Sequence, residues 1–161
     1  MGPAANRVLL SVALRGAPAE AAGRRLKRRA LELMRALSLQ GTELSLSVVG
    51  DRRMRALNRD WRGKDRATDV LSFPSGAVRV RGQRWPLGDL VISLETAKRA
   101  AAEHGERLSR ELDRYLAHGL LHLLGHDHLR PAEARRMALA EARLLGRGGM
   151  LADSDETDAG R

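Results

Sequence analysis

Residues 118–128 read HGLLHLLGHDH and hold four of the five histidines in a chain of 161 residues. On a helix, positions four apart are separated by about 40° around the axis and about 6 Å along it, so His118 and His122 share a face and can bind one ion. Leu120, Leu121, Leu123 and Leu124 make that helix apolar nearly all round. It should therefore be buried, where an imidazole without a partner is costly. Gly125 suits the left-handed turn that ends a helix and reverses the chain, which brings His128 back toward the first two. His126 competes for the third place, but in an unbroken helix it would lie about 12 Å up the axis from His118, and the turn gives His128 the better reach. The resulting pattern, H-x3-H-x5-H, offers three nitrogen ligands and no evident fourth from the protein. That count is typical of a catalytic zinc site with an open position, whereas structural sites are usually closed by four. A single histidine on an apolar helix is ordinarily a core residue bonded to a backbone carbonyl; three at this spacing, with a glycine at the turn, point to metal. Cysteine is absent, so any metal must sit on histidine and carboxylate. Imidazoles suit zinc but also nickel and copper; one zinc per chain is the expectation.

The spacing H-x3-H-x2-G-x2-H is shared with the metzincin peptidases, whose motif begins H-E-x-x-H and uses the glutamate as general base. Here Gly119 follows His118, so a peptidase would lack its proton acceptor. Glycine within a helix costs about 1 kcal/mol relative to alanine. Two reasons compete for it: a neighbouring element packed close, or room for a bulky substrate.

Two further stretches accompany the histidines: NRDWRGKDRATDVLSFP (Asn58 to Pro74) and LGDLVIS (Leu87 to Ser93). Together, over roughly residues 45 to 145, the three motifs resemble the YbeY family of bacterial endoribonucleases, also called rRNA maturation factors. The resemblance implies a single-domain α+β metalloprotein with zinc on His118, His122 and His128, acting on single-stranded RNA in 16S rRNA 3′-end maturation and ribosome quality control. Its partners would be 16S rRNA and the small ribosomal subunit with its proteins. It also places the family's important arginine at Arg62, so Arg62, His118 and His122 are the expected catalytic residues. Position 126 is more often Tyr in this family and is His here; Asp127 keeps the family's Asp. Read from the residues alone, Arg62 would pass for a solvated surface arginine. A guanidinium can nonetheless grip two phosphate oxygens and stabilise charge developing on phosphorus. Lys64 and Arg66 would add general phosphate attraction. Thr68, Asp69 and Ser72 can line a pocket, while Thr68 and Asp69 equally suit a cap or a turn into the following strand. Two other readings compete with the nuclease: a non-catalytic ribosome-assembly factor whose zinc braces the fold, and a zinc metallopeptidase, which Gly119 disfavours.

The elements that must position these residues follow from periodicity. NRVLLSVAL reads as a strand, and Pro18 opens a helix to about Ser38 with Leu26, Ala30, Leu33 and Leu37 on one face. ELSLSVV (Glu43 to Val49) alternates strictly, and Gly50-Asp51 leads into a short helix through Met54, Leu57 and Asn58. ATDVLSFPSG is a buried strand ending at Pro74, and LGDLVISL (Leu87 to Leu94) is another, expected to pair with it. Helices over Glu95 to His104, Arg107 to Leu124 and from Pro131 to a fade at Gly146 complete the chain. The order predicts an α+β domain over residues 1–150, a mixed sheet of about four strands covered by about five helices. One helical layer can cover such a sheet. An acidic, disordered tail is expected over 151–161.

Lys+Arg 29 against Asp+Glu 20 leaves a net charge of +9. Asp153, Asp155, Glu156 and Asp158 concentrate negative charge near the end, so the body is more basic still and suits a polyanion, nucleic acid first. Only Trp61, Phe73, Trp85 and Tyr115 are aromatic, too few for a multi-base stacking platform. No run is long enough to span a bilayer, and VLLSVAL (Val8 to Leu14) lacks a cleavage site. A cytoplasmic monomer without a membrane partner is expected.

Overall fold

Strict alternation builds the centre of the sheet. In β2 (Thr42–Val49), Thr42, Leu44, Leu46 and Val48 are buried on one face while Glu43, Ser45 and Ser47 between them are half-buried. The computed structural model describes residues 4–126 and 129–156, with 147–156 as backbone only. Around β2 stand β1 (Arg7–Val12), β3 (Val70–Pro74) and β4 (Trp85–Ser93) in the order β1-β2-β4-β3. β1, β2 and β4 run parallel, with Leu46 opposite Leu90 and Val48 opposite Ile92. β3 pairs with β4, as the two sequence patterns predict, and runs antiparallel to it with Leu71 opposite Val91. A parallel pair needs a crossover: α1 (Ala17–Ala36) joins β1 to β2, and α2 (Asp51–Arg62) leaves β2 before β3 returns.

The chain then closes with α3 (Leu94–His104), α4 (Leu108–Leu123) and α5 (Pro131–Glu156). Leu44, Leu46, Leu90 and Ile92 pack on one side of the sheet with Leu26 and Leu33 of α1, Leu116 and Leu120 of α4, and Met137 and Leu144 of α5. The other side is not bare: Val49, Leu71 and Val91 meet Met54 and Leu57 of α2. Helices therefore cover both faces of this α+β domain, because β2, β3 and β4 each carry an apolar residue out of phase with the main core.

α4 is buried nearly all round, as its leucines predict, and its buried carboxylates are paired. Asp113 meets Arg25 at 3.0 Å and the buried Arg29 at 3.3 Å, both on α1; Glu111 meets Arg114 and, at 3.4 Å, His104. α5 runs past Gly146, where the sequence pattern predicts its end. A glycine stops a helix when it turns left-handed, and Gly146 does not have a positive φ. Of the acidic tail expected over 151–161, residues 151–156 continue the helix and 157–161 lie outside the described residues. Among the described residues no helix is long and apolar enough to cross a membrane.

Candidate active site

Where α4 crosses the sheet, Gly119 faces Leu90 of β4 and Val70 of β3. A Cβ built on Gly119 would lie 2.5 Å from Leu90 Cδ2 and 3.3 Å from Val70 Cγ2. Close packing, not space for a substrate, explains the glycine. This approach sets His118 and His122, one turn apart, beside the start of β3. Their rings lie 4.6 Å apart at 73°, and the two Nε2 atoms are 3.1 Å apart.

The remaining nitrogen of His118 is spoken for. Nδ1 is hydrogen-bonded to the Glu141 carboxylate of α5. A nitrogen facing a carboxylate carries the proton, so the neutral ring presents a bare lone pair at Nε2. Glu141 holds the His118 imidazole above its usual range, outweighing burial, which pushes it down; Asp69 adds to the upward shift. Two Nε2 atoms at this separation suit a shared cation. Bonds of 2.0–2.1 Å to one ion span about 3.3 Å at a tetrahedral angle. A carboxylate behind a ligating histidine is also the usual support for such a ligand. The donor chemistry thus fits zinc.

Arg62 comes to the same cleft from the end of α2. Gly63 takes the left-handed conformation at φ 68°, and its N–H donates to Arg59 O, while the N–H of Lys64 donates to Asn58 O at 3.2 Å. The buried Asn58 amide in turn donates to Arg66 O at 2.9 Å, so the helix end and the loop after it are tied together. Neighbouring acids are taken: Asp65 pairs with Arg55 at 2.8 Å and Asp60 with Arg59 at 3.2 Å. Among the described residues no carboxylate pairs with Arg62.

Arg62, His118 and His122 line one cleft of about 220 Å³ together with Thr68, Asp69, Val70 and Ser72. The two readings of Asp69 both hold. One carboxylate oxygen accepts from the Val70 N–H at 2.8 Å and the Thr68 hydroxyl at 3.2 Å, fixing the entry into β3, and the residue also faces the cleft. Beyond α4, Gly125 is left-handed at φ 97°, as predicted, and the N–H of His126 donates back to Leu121 O at 3.0 Å. His126 is exposed. His128 and Asp127 lie outside the described residues, and among those described no group of three ligating side chains converges.

A family model described as endoribonuclease YbeY matches residues 18–149. The chain belongs to the endoribonuclease YbeY family. A Myxococcus xanthus protein named endoribonuclease YbeY is 63% identical over 125 residues, covering 76% of this chain and 42% of that protein. One of the same name from Anaeromyxobacter sp. is 57% identical over 130 residues, covering 81% of this chain and 67% of that protein. This chain therefore spans under half the length of the first relative and about two thirds of the second. The solution structure of a Thermotoga maritima protein, at 20% identity, covers 94% of this chain and 95% of its own with a TM-score of 0.64, which shows a shared fold. The YbeY match takes in Arg62, His118, His122 and His128, and also two residues that sequence reasoning missed in their roles. Asn58 reads only as a helix position, since nothing local announces its bond to Arg66 O. Glu141 carried a signal: it lies four residues after Met137 and three before Leu144, a carboxylate on the stripe of α5 that faces the core.

Proposed function

We propose that the chain is a metal-dependent endoribonuclease of single-stranded RNA, with zinc on His118, His122 and His128. The observation that carries this reading is the meeting, in one cleft, of a guanidinium with which no carboxylate among the described residues pairs and two imidazole nitrogens that face each other at 3.1 Å. A phosphodiester needs charge stabilised on its non-bridging oxygens, and Arg62 supplies a planar pair of donors for that. Zinc, when bound, supplies Lewis acidity toward a phosphoryl oxygen. Glu141 keeps the His118 tautomer that turns Nε2 to the cleft. Thr68 and the Val70 N–H hold Asp69 at the rim.

From the family resemblance, the substrate is 16S rRNA near its 3′ end and the setting is the small ribosomal subunit; a cytoplasmic monomer is part of the same proposal. The basic body suits this. The peptidase reading loses ground, because the packing of Gly119 against Leu90 leaves no place for a carboxylate at that position.

The test is incubation of the pure protein with single-stranded RNA and with casein, with and without chelator, beside His118→Ala and Arg62→Ala variants. RNA cleavage that chelator and His118→Ala abolish is expected, with casein intact. Arg62→Ala should lower kcat far more than RNA affinity, since an interaction made in the transition state appears in kcat. RNA binding without cleavage would return the protein to the role of an assembly factor.

A further inference from the structure

One residue before Arg62, in the last turn of α2, stands a side chain with no role in the chemistry above. Trp61 is 71% exposed. The other three aromatic residues are occupied: Tyr115 is buried, Phe73 packs in the small cluster under α2, and Trp85 donates to Ala77 O at 3.0 Å and lies under the Arg79 guanidinium. Trp61 is the one exposed aromatic side chain among the described residues. Its ring is held, however. Phe73 meets it edge-on, with centroids 6.0 Å apart and planes at 65°, a favourable aromatic geometry that fixes an indole without enclosing it. Phe73 lies on the α2 side of the edge strand β3, the face opposite to that of Ser72, so α2 and β3 together hold the indole one residue from Arg62, whose own side chain reaches the cleft.

An apolar ring left in water at this place needs an occupant compatible with the charges around it. Arg62 faces the cleft, Lys64 and Arg66 are exposed just beyond, and the nearby acids Asp60 and Asp65 are paired to Arg59 and Arg55. An aromatic face set among cations is the arrangement that binds unpaired nucleotides: the bases stack while the backbone meets positive charge. A duplex, whose bases are already stacked on one another, gains nothing from it.

We infer that Trp61 forms a stacking subsite for one unpaired nucleobase, next to the phosphate that Arg62 engages. The inference rests on the reading of the cleft as an RNA site, and it adds a structural reason for single-strand preference. Stacking is tolerant of base identity, so the subsite selects strandedness rather than sequence.

The test compares the metal-loaded wild type, Trp61→Phe and Trp61→Ala on a short single-stranded RNA and on versions in which each nucleotide in turn is made abasic. Trp61→Ala should raise KM roughly tenfold, the scale of one lost base-aromatic stack, with kcat changed far less; Trp61→Phe should retain most of the affinity. In the wild type, one abasic position should reproduce the loss, and combining it with Trp61→Ala should cost no more. In a Trp85→Phe background, indole fluorescence should be quenched on adding intact RNA and not on adding the RNA abasic at that position. Trp61→Ala behaving as wild type, or losses that add in full, would overturn the subsite while leaving the nuclease reading intact and would assign the indole to another partner. A wild type that neither binds nor cleaves RNA would overturn both.

Discussion

Gly119 and Leu90 are in contact as closely as a glycine allows, and that contact sets where the two histidines stand. A methyl at position 119 would fall 2.5 Å from one Leu90 terminal carbon and 3.2 Å from the other, and Leu90 is fully buried. Gly119→Ala gains about 1 kcal/mol in helix propensity. Forcing a methyl into a packed core costs about 1–3 kcal/mol, and with both Leu90 branches and Val70 in the way the upper part of that range applies. The expected outcome is net destabilisation of about 1–2 kcal/mol in urea unfolding, together with a shift of α4 that impairs RNA cleavage. Leu90→Val should partly relieve it, so the double variant loses less than the two singles combined. Full additivity would show that Leu90 is not the obstacle.

That same pair marks what could be read in advance. The period-2 pattern of β2, the paired strands β3 and β4 and the leucine-rich α4 were legible because burial on one face imposes periodicity on residue types. So were His118, His122 and Gly125, since helix geometry fixes which side chains share a face. The identity of the contact behind Gly119 was not: a glycine announces a close approach without naming the neighbour, and Leu90 is 29 positions away. Glu141 was hidden for the same reason, since its relation to His118 exists only once α5 is laid against α4. Arg62 looked like one more arginine in a basic chain. Its place in one cleft with His118 and His122 distinguishes it, and that exists only once α2 is set beside β3 and α4.

The contact between Glu141 and His118 predicts a dependence of metal affinity on a residue that does not bind metal. Carboxylate partners of ligating histidines are typically worth about 10–100-fold in affinity. Glu141→Ala should lose zinc affinity by that order in chelator competition, and Glu141→Gln, which keeps an acceptor oxygen, should lose less. Nitrogen-15 spectra of the metal-free protein should report His118 protonated at Nδ1 in the wild type and a tautomer mixture in Glu141→Ala. Unchanged affinity in both variants would reduce the contact to packing.

Asp51, at the start of α2, ties three elements together and carries a pH signature. It accepts from the Ser93 hydroxyl at 2.8 Å and the Thr96 hydroxyl at 2.6 Å, and pairs with Arg99 at 2.5 Å. Burial pushes its carboxyl up, but the bonds from Arg99, Thr96 and Ser93 outweigh this and hold it below the usual carboxylate range. A folded-state value below the unfolded one means that the unfolded chain takes up the proton first as pH falls. The stabilisation is thus complete above about pH 4, the unfolded carboxylate value, and is lost as pH drops through the folded one. Asp51→Asn should cost about 1–2 kcal/mol near pH 7 and progressively less below pH 4, giving a shallower acid limb in thermal melts. The limb should not vanish, because Glu111 is also held low: burial raises it, and Arg114 and His104 more than compensate. Parallel acid limbs for variant and wild type would remove Asp51 from the account.

The third ligand can be decided by exchanging the two histidines that follow α4. The helix ends at Leu123, Gly125 turns left-handed, and the His126 N–H is committed to Leu121 O, which leaves the residue exposed. A side chain at position 126 therefore starts from the turn itself. Position 128 is two residues further along the sequence, and a left-handed Gly125 suits the chain reversal that would bring its side chain toward the first two histidines. His126→Tyr, which restores the residue more usual in the family, should keep zinc and RNA cleavage. His128→Ala should lose both, since two imidazoles alone hold zinc weakly and three protein ligands are the minimum in catalytic sites. Zinc content by elemental analysis and cleavage of single-stranded RNA would be measured side by side. Zinc lost from His126→Tyr and retained by His128→Ala would reverse the assignment, making the exposed histidine at the turn the ligand and leaving position 128 outside the site.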